Sequence, residues 1–218
     1  DCTCSCPSTA IFDGLVAEMR AAGAEFTVDK EFTKAVGIDI DHNADRSIKI
    51  SQGSYIRANI LERFDFEHIK PQLTPFVKKQ YRNLQSKGEP VHELLGAVNW
   101  CSTQTRPDIT YAVHRCAKLI SKPAFHGEAR DRLTRIVAYL AGSIDDGITY
   151  RAGDRSGWDR VAVFADSDYA ASYESRRSTT GIVVAYNGSP VAWTTKLQSC
   201  ASMANTVVSA LPALSTGE

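Results

Sequence analysis

Apolar residues recur at helical spacing near the start of the chain. Ile11, Leu15, Val16 and Met19 share one face of a helix predicted from Pro7 to Gly23. Ser8 or Thr9 can cap it, and Gly23 can end it. The period then shortens. The stretch AEFTVDKEFTKAVGIDIDHNADRSIKIS holds three short extended runs, and AVGIDID and RSIKIS flank the turn-rich HNAD as a β-hairpin. SQGSYIRANILERFDF returns to helix, with Tyr55, Ile56, Ile60, Leu61 and Phe64 as its apolar positions. From Lys70 to Pro90 the periodicity lapses. Pro71, Pro75 and Pro90, with Lys78, Lys79 and Arg82, predict a loop or linker of basic bias.

A helical pattern resumes from Val91 to Ser121, interrupted at Thr105-Arg106-Pro107-Asp108. Proline suits the first turn of a new helix there, and Asp108 suits its N-terminal dipole. A further helix covers Gly127 to Ala141. Leu133, Ile136, Val137 and Leu140 lie on one side, and Arg130, Arg132 and Arg135 are among the polar positions. The chain then turns to strands: Gly147 to Tyr150, VAVFAD, and two strands in IVVAYNGSPVAW joined by Asn187-Gly188, a strong hairpin signal. ASMANTVVSALPAL can be helical until Pro212. A boundary falls near residues 143–148, and the whole predicts a mixed α/β (α+β) fold.

Composition narrows the function. Lys plus Arg and Asp plus Glu each total 25 in 218 residues, so the net charge is zero. Simple coating of DNA or RNA is disfavoured, although local basic patches remain available. No stretch approaches the ~18 apolar residues of a membrane span. The N-terminal DCTCSCPST lacks a basic region and an apolar segment, which predicts an intracellular protein, cytoplasmic or nuclear, not secreted. A chain that opens on Asp1 reads as a fragment or a processed product. Cys2, Cys4 and Cys6 alternate, as on one face of a strand, and no second pair completes a zinc motif; Cys101, Cys116 and Cys200 are scattered. The five histidines are dispersed, and neither a Ser–His–Asp arrangement nor a phosphate-cradling glycine loop occurs.

The sharpest candidate chemistry sits in VAVFADSDYAAS. An apolar strand stops at Asp166, where a carboxylate can take part in a Mg²⁺ site if other elements supply further ligands. Asp168 would share its face if the strand continued, but Asp-Tyr-Ala-Ala-Ser is turn-like. Arg176 and Arg177 can reach a phosphate or pair with these carboxylates. Lys78, Lys79 and Arg82 can contact phosphate, as can the arginines of the 127–141 helix; a solvated basic surface is the plainer reading of both.

Taken in order, these segments resemble the pol polyprotein of copia-type LTR retrotransposons. TRPDITYAVHRCAKLISKP, LTRIVAYLAGSIDDGITY and FADSDYAASYESRRSTTGIVVAYNGSPVAWTTKLQS carry the resemblance, with VGIDID, RSIKISQGSYIRANILERF and KPQLTPF upstream. It covers nearly the whole chain. It implies a reverse transcriptase palm remnant and thumb or linker at 1–90, a helical connection region at 91–145 and a truncated ribonuclease H-like domain at 146–218. It implies an RNA-directed DNA polymerase joined to a ribonuclease H, Mg²⁺ as the cofactor of the intact enzyme, an RNA:DNA hybrid or template-primer as partner together with the rest of the polyprotein, and no membrane. By the same resemblance, Asp166 is the first metal ligand of the ribonuclease H. Asp1 corresponds to the second Asp of the polymerase Tyr-x-Asp-Asp motif. The family expects S-T-x-E-A-E-Y after K-x-Q, whereas no Glu lies between Glu174 and Glu218. The second ligand is therefore missing or displaced, and the third and fourth fall beyond the end. A frameshift or truncation would explain this. A chain so equipped is expected to be inactive alone; the alternative is a non-enzymatic nucleic-acid-binding or interaction module of retroelement origin.

Overall fold

The computed structural model describes residues 8–28, 31–77, 90–151, 161–168 and 178–198. Helix α1 spans Thr9–Ala21, capped by Ser8, whose hydroxyl accepts from the Ile11 N–H. It ends as the sequence predicts. Gly23 adopts φ +84°, and the Gly23 and Ala24 N–H groups donate back to the Arg20 and Met19 carbonyls, the paired bonds of a Schellman cap. No residue of α1 is buried, and the apolar stripe of Ile11, Leu15 and Met19 lies exposed.

Four antiparallel strands form the first sheet: β1 (Lys34–Ala35), β2 (Ile38–His42), β3 (Ile48–Ser51) and β4 (Gly147–Tyr150), in that order. Ile40, Ile50 and Ile148 stand opposite one another across it, and Ile40 and Ile148 are buried. The expected hairpin is thus β2–β3. The pairing of β4 with β3 differs from the expectation that this strand belongs with those that follow it. Gly147 permits the pairing: a Cβ there would run into the Ile50 carbonyl oxygen.

Helix α2 (Gly53–Ile56) starts where Asp39 of β2 accepts from the Ser54 N–H at 2.9 Å, so a strand side chain satisfies a helix-end donor. It continues as π-type turns over Arg57–Glu62. Helices α3 (Val91–Gln104), α4 (Thr110–Ile120) and α5 (His126–Gly142) complete the helical body. Its core joins Ile56 and Ile60 to Leu94, Val98, Ile109, Val113, Leu133, Ile136 and Leu140. Cys101 and Cys116 lie in this core as free thiols, and burial pushes both up to about 12. Thr105 donates to the buried Gln52 at 2.8 Å, tying the end of α3 to the start of α2.

The second sheet is β5 (Val161–Asp168), β6 (Thr179–Tyr186) and β7 (Ser189–Leu197), antiparallel in chain order. Asn187 and Gly188 turn the β6–β7 hairpin with φ +49° and +81°, the left-handed pair of a type I′ turn. A bulge at Val184/Ala185 lets Ala185 face Pro190 and Val184 face Ala192. Strand β5 runs through Asp168, paired with Thr179. That corrects the turn expected at this point, where eight residues of pairing to β6 override local turn propensity. Mixed helix and antiparallel sheet make this an α+β fold. The expected C-terminal helix and the six-residue stretch Cys2 to Pro7 lie outside the described residues.

Candidate metal centre at Asp166 and the cleft beside it

Asp166 is placed by its strand. It stands opposite Gly181 of β6, which stands opposite Thr195 of β7. The next row on the same face is Phe164, Val183 and Trp193. This face turns toward the helical body. The Trp193 indole N–H donates to the Ser102 carbonyl at 2.6 Å, and the Thr110 hydroxyl donates to the same oxygen at 3.1 Å. Ser102 lies in the last turn of α3, so both bonds satisfy a carbonyl that the helix leaves open. Two further bonds bind the hairpin to the first sheet: Ser189 donates to the Thr149 carbonyl at 2.7 Å, and Tyr150 to the Pro190 carbonyl at 3.0 Å.

Between the second sheet and Pro107 and Thr110 opens a cleft of about 260 Å³. Asp166 lies on its wall, and its exposed side chain makes no hydrogen bond or ion pair to another described residue. Among the described residues no group of three or more His, Cys, Asp or Glu side chains could hold a metal ion. The neighbours of Asp166 here are aromatic, aliphatic and hydroxyl groups, so the described donor set does not fit Mg²⁺, which takes several hard oxygen ligands.

The other candidates scatter or fall outside. Asp1, Lys78, Lys79, Arg82, Arg176 and Arg177 lie outside the described residues. Of the α5 arginines, Arg132 pairs with Glu128 at 2.7 Å, Arg135 donates to Thr74 at 2.9 Å, and Arg130 lies over the Phe66 ring. These groups bind α5 to its own surroundings rather than standing free in solvent.

In sequence, Arg106 shows only as part of the Thr105-Arg106-Pro107-Asp108 turn. Its side chain is almost wholly buried and holds Asp108 through two bonds of 3.1 and 2.8 Å, while donating to the carbonyl and hydroxyl of Ser143 at 2.8 Å each. The Tyr139 hydroxyl donates to Asp108 at 2.7 Å. Burial works against the charge on Asp108, but the bonds and charge of Arg106 and the Tyr139 hydroxyl outweigh it and hold the carboxyl below its ordinary range. The Arg-Pro-Asp signal was visible as a turn; its partner Ser143 is too far along the chain to be read from pattern. Trp193 was missed for the same reason. His92 and His126, dispersed in sequence, meet edge to face at 5.5 Å.

The geometry can be set beside known proteins. The chain is 28% identical over 185 residues to the retrovirus-related Pol polyprotein from transposon TNT 1-94 of Nicotiana tabacum, covering 79% of this chain. It is 29% identical over 156 residues to the corresponding polyprotein from transposon RE1 of Arabidopsis thaliana, covering 69% of this chain. The chain is thus homologous to retrovirus-related Pol polyproteins of transposons over most of its length. It spans only 13% and 10% of those two Pol proteins. A shorter relative, the secreted RxLR effector protein 161 of Plasmopara viticola, is 31% identical over 121 residues, 55% of this chain and 81% of that protein. No family model and no solved structure matches the chain. Among the described residues no helix is long and apolar enough to cross a membrane.

Proposed function

We propose that this Pol segment belongs to a copia-type reverse transcriptase/ribonuclease H. In this reading the first sheet and its helix α2 come from the reverse transcriptase palm region, α3 to α5 form the connection, and the second sheet opens the ribonuclease H. The β3–β4 pairing favours placing the start of the last unit after Tyr150 rather than at 146. The ancestral role is reverse transcription, with Mg²⁺ serving the intact enzyme. This chain by itself binds an RNA:DNA hybrid without cleaving it.

The observation that carries the second half is the isolation of Asp166. A two-ion centre for phosphodiester cleavage draws carboxylates from several elements, and Asp166 has none beside it among the described residues. Residues 215–218, outside the described set, read Ser-Thr-Gly-Glu, the opening of the segment expected after Lys196-Leu197-Gln198. That supports a displaced second ligand at Glu218. The basic groups Lys78, Lys79, Arg82, Arg176 and Arg177 supply the phosphate attraction, which salt must weaken. The test is gel-based cleavage of a labelled hybrid in Mg²⁺ alongside a binding titration; cleavage abolished by Asp166→Asn would refute the reading.

A further inference from the structure

The second sheet leaves a gap in its inner face. Gly181 stands at the centre of the row Asp166–Gly181–Thr195, and a Cβ built there meets nothing within 4 Å. The adjoining row supplies Phe164 and Trp193, with Pro107 and Thr110 as the facing wall. Phe164 is 59% exposed, although an aromatic ring of that size usually gains by burial. Trp193 is held by its bond to the Ser102 carbonyl, so its ring is a fixed wall. Among the described residues no lysine or arginine lines the cleft. Asp166, the charged group among the described lining residues, can only accept hydrogen bonds when ionised.

We propose that this cleft is a stacking site for a single unpaired nucleobase bearing an exocyclic amino group, cytosine in the first place. The inference rests on the nucleic-acid reading above and adds a base-recognition site to it. Exposed aromatic side chains bind the π-face of a base. The missing side chain at Gly181 leaves room for a planar ring between Asp166 and Thr195, beside the aromatic row of Phe164 and Trp193. A carboxylate accepts from the N4 amino group of cytosine, while uracil presents an acceptor at that position. The same carboxylate repels phosphate, so the sugar–phosphate backbone stays at the mouth of the cleft and only the base enters.

The test uses the full 218-residue chain and free nucleosides, which carry no phosphate. The indole N–H signal of Trp193, assigned through Trp193→Phe, is followed by two-dimensional NMR during titration with cytidine and with uridine. Cytidine is expected to shift it in a saturable way, with uridine roughly fivefold weaker, the low end of one good base contact. Gly181→Val puts a branched side chain into the gap, where a Cβ meets nothing within 4 Å, and should abolish the shift. Phe164→Ala, at an exposed position, should weaken it independently, and Asp166→Asn should remove the preference for cytidine. A Trp193 signal indifferent to cytidine, or a shift that survives Gly181→Val in a folded protein, overturns the proposal. Hybrid binding that persists in that case leaves the proposed function standing; cytidine binding without hybrid binding would do the reverse.

Discussion

The indole N–H of Trp193 in β7 donates to the carbonyl of Ser102 in α3 at 2.6 Å, across 91 residues of chain. One bond thereby caps a helix end and seats a second sheet on the helical body. Trp193→Phe keeps most of the ring and removes the donor, leaving Thr110 as the remaining partner of that oxygen. The expected cost is about 1 kcal/mol. Hydrogen exchange should quicken in β5 to β7 and at the end of α3 while the core of α3 to α5 stays protected; uniform protection would contradict the seam.

Arg106 fixes the start of α4 to the end of α5 through Asp108 and Ser143. Arg106→Ala leaves a carboxylate and a helix-end carbonyl without their donor. A loss of about 2–3 kcal/mol in urea unfolding is expected, less than for a fully buried pair because the Asp108 side chain is 37% exposed and keeps its bond from Tyr139. Arg106→Lys should recover only part of it, because an ammonium lacks the planar fork that spans both oxygens of Asp108.

Acid should act at the same place. Asp108 has its carboxyl held below the ordinary 3.8 in the folded chain. Its contribution to stability is therefore complete above the unfolded value and lost as pH falls through the folded one. Urea midpoints should decline below about pH 4, and Asp108→Asn should flatten part of that decline while lowering the plateau at neutral pH. An unchanged acid limb in the variant would mean other carboxylates set it.

Two glycines should separate cleanly. Gly147→Ala drives a methyl group into the Ile50 carbonyl and should cost about 1–3 kcal/mol by overpacking, loosening β4 from β3. Gly181→Ala adds the same methyl group to open space in the middle of β6 and should cost nothing. Thermal melts of the pair test whether the β3–β4 contact is as tight as described.

What the pattern of residues disclosed was mostly local. Ser8, Gly23, Asn187 and Gly188 act through their own backbone angles or through neighbours a few residues away, and each did what its type predicts. The helix faces of α3 and α5 were legible because burial repeats every three to four residues. The pairing of β4 with β3 was not, because nothing in Gly147-Ile-Thr-Tyr150 states which of two sheets it joins, and the deciding clash-free approach depends on Ile50 almost a hundred residues earlier. Asp168 looked like a turn residue, and cross-strand pairing extended the strand through it. At the site, Asp166 stood out at the end of an apolar run. The walls that define its surroundings, Trp193, Gly181 and Pro107, come together only through register and the Ser102 bond.

The function proposed for this segment is binding of an RNA:DNA hybrid without cleavage. The direct measurement is one titration of the full chain against a fluorescent hybrid in Mg²⁺, read for anisotropy and for product on a denaturing gel, repeated from low to physiological salt. Binding should weaken steadily as salt rises, with the hybrid intact throughout. Cleavage that disappears in Asp166→Asn, or no binding even at the lowest salt, would contradict the proposed function.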